Sequence, residues 1–234
     1  MNTLPIVKHP PVRALAMAAC TVLALGLTTA SAQLAVAPPY VAPAYTADSS
    51  EDLGFCLSGD LGPSFIQNFQ SSRFGFPARI SARPGARFGV EPGYNFLATD
   101  ALTIGGEFET GVIYNSLHSV SKPGAPWPLR GDYYQVPLLG SLVLKVHTGS
   151  FVEPYVGVGG GGDYSAARIR SPGFFGFRTR SDEIDPAVQG MAGVRFRLNR
   201  ISNVGLGYKF LAAFPNQGQY IGTHSVLASF TVRF

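Results

Sequence analysis

The run Gly157-Val158-Gly159-Gly160-Gly161-Gly162 satisfies G-x-G-x-x-G, the spacing with which a glycine-rich turn holds a dinucleotide pyrophosphate. That chemistry needs a helix directly after the turn, its N-terminal amides aimed at the phosphates. Here Asp163-Tyr164-Ser165 follow without helical periodicity. The run is better read as a strand whose missing side chains make room for bulky charged neighbours in a crowded interior. His118, His147 and His224 fall in different connections and Cys56 stands apart, so no metal-ligand spacing is visible and no cofactor is expected. His224 and Ser225 are adjacent, which in a strand sends them to opposite faces, whereas a nucleophile and its base must share one. Ser58 and Asp60 share a face but form only a polar pair. No catalytic residue is assigned, and the protein is expected not to be an enzyme.

The charges that remain recur two residues apart inside apolar stretches. Leu102, Ile104, Phe108, Val112 and Tyr114 alternate with Thr103, Glu107 and Glu109, and Val188, Ala192, Val194 and Phe196 alternate with Gln189 and Arg197. A period of two is that of a β-strand with one apolar and one polar face. The question is which face points inward. A lipocalin-like soluble barrel would turn the apolar face in. In a membrane barrel the polar face must point in, because Arg or Lys on the lipid side costs about 2–4 kcal/mol near the midplane. Collected on the second reading, Asp60, Glu91, Glu107, Glu109 and Glu153 face Arg87, Lys145, Arg195, Arg197, Lys209 and Arg233 in one interior. The signs nearly balance, and a small barrel is only wide enough for side chains to fill, so the set is expected to form a structural charge network.

The final ten residues, Ser225 to Phe234, decide between the readings. Val226, Ala228, Phe230, Val232 and Phe234 fall on one face; Ser225, Ser229, Thr231 and Arg233 fall on the other. This segment, closing on an aromatic, resembles the last strand of small outer-membrane β-barrel proteins of the OmpA/OmpX and opacity type. The resemblance implies an all-β, eight-stranded antiparallel up-and-down transmembrane barrel in the bacterial outer membrane. It also implies that Phe230 and Phe234 are part of a signal read by the barrel-assembly machinery.

The N-terminal end agrees. Lys8 and Arg13 precede an apolar run from Ala14 to Leu27, and Ala30-Ser31-Ala32 offers a cleavage site, so residues 1–32 are expected to be a signal peptide. Met17-Ala18-Ala19-Cys20 loosely resembles a lipobox, but few apolar residues precede the cysteine. If Cys20 leaves with the signal, Cys56 has no cysteine to pair with. Residues 33–52, Ala- and Pro-rich, read as a flexible periplasmic tail, and 53–234 as the barrel.

Composition sets bounds on the partners. The 234 residues carry 28 glycines, 12% aromatics and only 14% charged residues, and no uncharged apolar stretch after the signal reaches the roughly 18 residues of a membrane helix. A formal charge of +4, dispersed along the chain, excludes nucleic acid as the expected partner. Outer-membrane lipid and lipopolysaccharide are expected to surround the protein.

Eight alternating segments are predicted: Phe55–Ser64, Ala86–Phe96, Leu102–Tyr114, Tyr133–Lys145, Phe151–Tyr164, Ala187–Arg197, Val204–Ala213 and Ser225–Phe234. Short turns follow the second, fourth and sixth; long connections at 66–85, 115–132, 166–186 and 214–224 would face outside. The stretch Phe74–Arg83 could extend the first hairpin or add a strand pair. In the third long connection Arg168, Arg170, Arg178 and Arg180 flank Phe174, Phe175 and Phe177, a composition suited to lipid phosphate, since Arg clamps phosphate and Phe enters the interface. In the second, Arg130-Gly131-Asp132 resembles the integrin-recognition tripeptide, though three residues are weak evidence. The expected role is therefore structural or surface-interacting, through an unidentified ligand of the external loops. A narrow porin-like channel and a lipid A-modifying enzyme are the rivals.

Overall fold

The computed structural model describes residues 52–67, 69–71, 78–122, 125–170, 178–215 and 220–234. The expected signal segment, the tail up to residue 51 and Phe174, Phe175 and Phe177 lie outside them.

Among the described residues ten strands follow one another: β1 (Gly54–Ile66), β2 (Phe69–Ser71), β3 (Ala78–Ala82), β4 (Gly85–Ala98), β5 (Leu102–Lys122), β6 (Ala125–Val146), β7 (Val152–Arg170), β8 (Arg178–Arg197), β9 (Ser202–Ala213) and β10 (Ile221–Arg233). All eight long strands pair antiparallel, and the pairings β5–β6 and β1–β10 close them into a barrel. This is the eight-stranded barrel that the period-two pattern predicts. The remaining two strands, β2 and β3, form a short hairpin whose second strand pairs with the outer end of β5, so the stretch Phe74–Arg83 supplies one strand, β3, of an additional pair whose other member, β2, precedes it.

The alternation sorts the side chains as a membrane barrel requires. Phe88, Phe108, Leu142, Leu206 and Phe230, spread over five strands, are at least half exposed on the outer surface. Asp60, Arg87, Glu91, Glu107 and Lys209 are each under 5% exposed in the lumen. Three tight turns join β4 to β5, β6 to β7 and β8 to β9; the middle one uses Gly149 at φ 68°, a conformation that costs glycine nothing.

Two features depart from the sequence reading. The connections expected at 115–132 and 166–186 are mostly strand: β5 and β6 run out to Lys122 and Ala125, and β7 and β8 to Arg170 and Arg178. Pro126 and Pro128 are tolerated in β6 because there it pairs only with β5, through Ser121 and Ser119, its ladder to β7 beginning at Arg130. The interior is also not uniformly polar. Leu227 interrupts the alternation of the last strand by facing inward at 2% exposure. Ile113, Leu139, Ala187, Leu211 and Ala213 form one inward apolar cluster, and Ile66, Ile80, Leu117, Tyr133 and Ile221 form another at the outer end, with Ile80 supplied by β3.

Candidate functional site in the barrel interior

Inward-facing positions of neighbouring strands stack into layers along the lumen. In the central layer, β1, β4, β5, β8 and β9 supply Asp60, Arg87 with Glu91, Glu109, Gln189 and Lys209 respectively. Lys209 Nζ donates to Asp60 Oδ2 at 2.8 Å, to Glu109 Oε2 at 3.0 Å and to Glu91. Arg87 pairs with Glu109 and donates to Gln189 Oε1 at 3.0 Å, while Gln189 Nε2 donates to Glu109 Oε2 at 2.6 Å. One ammonium thus sits among three carboxylates whose oxygens lie within 4.8 Å of one another. Those carboxylates form a ligand cluster already filled by a protein cation.

The next layer toward the periplasm is built on Glu107. Arg195 Nη2 donates to its Oε1 at 3.2 Å, Lys145 Nζ lies 3.6 Å from the same oxygen, and Lys145 also donates to Asn95 Oδ1 at 2.8 Å. The Arg195 guanidinium lies over the Tyr155 ring, 4.8 Å from its centroid. Glycine makes this density achievable. A Cβ on Gly89 would stand 2.7 Å from Asp60 Oδ1, and one on Gly93 would stand 2.9 Å from Glu107 Cγ. The conspicuous glycine run behaves differently from the sequence expectation: Gly157 and Gly159 make space for Met191 and Ser141, and Gly161 for the backbone of Leu138, not for charged groups.

At the periplasmic mouth, Arg197 and Arg233 both pair with Glu153 and with Asp52. Asp52, expected at the end of the flexible tail, is instead 3% exposed, and its backbone carbonyl accepts from Asn95 Nδ2 at 2.8 Å. His147, in the turn after β6, reaches Asp52 at 3.4 Å and Glu153 at 3.7 Å and is hydrogen-bonded to Thr103 Oγ1 at 2.8 Å. Burial pushes the His147 imidazole below its ordinary value; Glu153 pulls it back up, and Arg197 opposes that pull. Asp52, His147 and Glu153 are metal-ligating residue types brought close together, but two guanidiniums already neutralise the carboxylates. The cleft they line leaves room for about one water molecule.

Above the central layer the polar residues thin out. Gln135 Nε2 donates to Asp163 Oδ2 at 2.7 Å and Thr223 Oγ1 donates to Gln135 Oε1 at 2.9 Å, after which the outer apolar cluster begins. Sequence reasoning did not assign Asp52, Asn95, Gln135, His147, Asp163 or Asp185 to the interior. For Gln135, Asp163 and Asp185 the parity of β6, β7 and β8 was the available signal.

The other residues singled out from the sequence separate. Ser225 is fully buried in the lumen, whereas His224 faces outward between Tyr208 and Gln67, its ring packed at a tilt against Phe210 with centroids 4.8 Å apart, so the adjacent pair is split between faces. Arg168 and Arg170 stand on β7 and Arg178 and Arg180 on β8, not in a loop, and Arg130-Gly131-Asp132 is ladder-paired within β6. Phe230 lies on the outer face at 50% exposure, and Phe234, at 79%, is tied to the start of β1 by its amide donating to the Phe55 carbonyl at 2.9 Å.

A closed antiparallel barrel with an apolar exterior and a charged lumen is a membrane-spanning object. Residues 18–234 match the family described as outer membrane protein beta-barrel domain. The chain belongs to that family. Its place is therefore the bacterial outer membrane. Among solved structures, Neisserial surface protein A (NspA) is 15% identical, with a TM-score of 0.50 over 77% of this chain and 97% of that one. OprG of Pseudomonas aeruginosa is 15% identical, with a TM-score of 0.47 over 78% and 96%. The outer membrane protease OmpT of Escherichia coli is 7% identical, with a TM-score of 0.49 over 77% and 97%. No curated protein matches the chain in sequence. For this outer-membrane barrel the likenesses speak to fold alone, since one fold hosts many activities.

Proposed function

We propose that this outer-membrane barrel is a non-catalytic protein with a structural or surface-interaction role and a lumen closed by its own side chains. The observation that supports this reading is the stack of interior layers. Lys209 is locked among Asp60, Glu91 and Glu109, Glu107 is locked between Arg195 and Lys145, and an apolar cluster caps the outer end. Groups that neutralise one another in this way leave neither a line of free charges for an ion to follow nor a polarised nucleophile. On this reading residues 1–32 are removed on export, residues 33–51 trail into the periplasm, and the assembly machinery reads Phe230 and Phe234. Lipopolysaccharide surrounds the exterior, and an unidentified surface ligand meets the external hairpins.

Planar-bilayer recording of the purified full barrel tests the lumen. The expected result is little steady conductance. Large, stable single-channel currents would overturn the closed-lumen reading in favour of a porin-like channel, and lipid A modification dependent on a named side chain would overturn the non-catalytic one. Intact-mass measurement tests the processing: a mature chain starting at Gln33 is expected, and a mass matching acylated Cys20 would refute it.

A further inference from the structure

At the start of β1 the chain bends back over the periplasmic mouth. Gly54 has φ 122°, a conformation that a residue with a Cβ rarely adopts, and the turn it allows buries Asp52 while Leu53 stays exposed. A Cβ at Gly54 would stand 3.0 Å from the Phe234 carbonyl oxygen, so the bend is also packed against the end of the last strand. Once inside, the Asp52 carboxylate is held from several sides. Arg197 Nη2, on β8, lies 3.3 Å from both of its oxygens; Arg233, on β10, pairs with Oδ1; His147, in the turn after β6, stands 3.4 Å from Oδ2. Asn95, on β4, donates to the Asp52 backbone carbonyl at 2.8 Å. One residue that precedes the first strand thus ties four parts of the rim together.

This clasp differs from the charge layers above it. The Arg197 and Arg233 side chains are 10% and 11% exposed, against 4% for Lys209, so water reaches the clasp and solvates its charges when they part. Behind it lies a cleft lined by Cys56, Asn95, Thr103, Lys145, Arg195 and Thr231, with room for about one water molecule while Asp52 is in place. Cys56, itself buried, faces Arg233 directly in the β1–β10 ladder. Lys145 and Arg195 share the carboxylate of Glu107, while Glu153, the other acid beside the cleft, is paired with Arg197 and Arg233. Among the described residues, the buried Arg195 Nε has no hydrogen-bond partner. The wall behind Asp52 therefore carries two cations to one acid and a donor to spare, which suits a small anion.

We propose that Asp52 is a latch that closes the periplasmic mouth over a small anion-binding vestibule. In the closed state its carboxylate takes the place of an anion against Arg197 and Arg233. Release, pivoting at Gly54, uncovers Arg195, Lys145 and the Cys56 thiol to a solute arriving from the periplasm. The vestibule ends below the central layer, where Lys209 and its three carboxylates fill the lumen, so an open latch admits a ligand without opening a channel.

Cys56 is a native reporter of the latch. The test measures its modification in the full barrel in detergent micelles, with the adduct located by peptide mass. The probes are two methanethiosulfonates of similar size, one carrying a sulfonate and the other a trimethylammonium group. The parent thiol is expected to react slowly with both. Asp52→Ala is expected to raise the rate with the sulfonate by about tenfold, the scale of one lost charged hydrogen bond, and the rate with the ammonium reagent by less. Removing the carboxylate also changes the field at the thiol, so Gly54→Ala, which keeps every charge and strains only the bend, is measured beside it and is expected to accelerate the reaction in the same direction. Asp100→Asn, exposed in the turn after β4, is expected to change nothing. Each variant is accepted only if it keeps the wild-type gel shift between unheated and boiled samples, and Gly54→Ala stands in for Asp52→Ala if that variant does not. Rapid labelling of the parent, equal rates in parent and Asp52→Ala, acceleration in Asp52→Ala without any in Gly54→Ala, equal acceleration in Asp100→Asn, or faster entry of the ammonium reagent into the opened variants would each overturn the proposal.

Discussion

Lys209 is the residue on which the central layer turns. It is 3% exposed and serves Asp60, Glu91 and Glu109 together, so replacing it with Met leaves three carboxylates facing one another in a poorly solvated space. Breaking a buried charge arrangement of this kind costs about 3–5 kcal/mol. Lys209→Met is therefore expected to lower the urea midpoint of the barrel in lipid vesicles, and adding Glu91→Gln should recover part of the loss. Arg168→Ala, on the exposed outer face, should leave the same midpoint unchanged. His147 gives a pH-dependent counterpart. Its folded-state value lies below the ordinary 6.5, so the unfolded chain takes up the proton first as pH falls. The stability it contributes is complete above about pH 6.5 and is lost as pH drops through the lower folded value. Unfolding midpoints measured at pH 7.5 and pH 5 should differ less in His147→Gln than in the parent, and an identical pH response in both would contradict the assignment.

At the level of strands, legibility followed the membrane. Where lipid lies on one face and a charged lumen on the other, period two is enforced, and β1, β4, β9 and β10 were bounded from sequence to within about four residues at either end. Beyond the bilayer both faces of a strand can be wet, the alternation loses its contrast, and the outer parts of β5 to β8 read as loops. The same loss hid Ile80, since a three-residue strand followed by a five-residue strand carries almost no periodic signal. Of the interior, Glu107, Glu109 and Lys209 could be read because each interrupts an apolar stretch, whereas Asp52 lies next to a Pro-rich segment and betrays nothing of its tertiary partners. The last strand carries its own prediction. Because Phe234 is exposed yet anchored to Phe55, deleting it removes little packed volume but shortens the strand that closes the sheet. Membrane-assembled protein, measured as the fraction resisting unfolding in unheated detergent, should fall far more than in Phe174→Ala; equal levels would count against the C-terminal signal.

For the molecule as a whole, the closed-lumen proposal rests on two unlike barriers in series: charge layers toward the periplasm and the Ile66, Ile80, Leu117, Tyr133 and Ile221 cluster outside. An apolar constriction excludes ions by dewetting even when the charges behind it are rearranged. Glu107→Ala alone should therefore stay electrically silent, and current should appear only when it is combined with polar replacements in the outer cluster, such as Leu117→Ser with Ile80→Ser. Steady conductance from Glu107→Ala alone would show that the apolar cluster is no barrier. The seam between β1 and β10 has a different consequence. Most ladders join strands adjacent along the chain, but this one brings together Ser58 and Thr231, whose hydroxyls hydrogen-bond across a separation of 173 residues. The loop-closure entropy of the fold is thus concentrated in one step, which cannot occur until translation has delivered the last strand. A chain cut short by even one strand has no edge to meet β1 and is left as an open, curling sheet. In the periplasm, premature termination would therefore expose adhesive strand edges that proteases can remove, so that completeness of the polypeptide is checked by geometry.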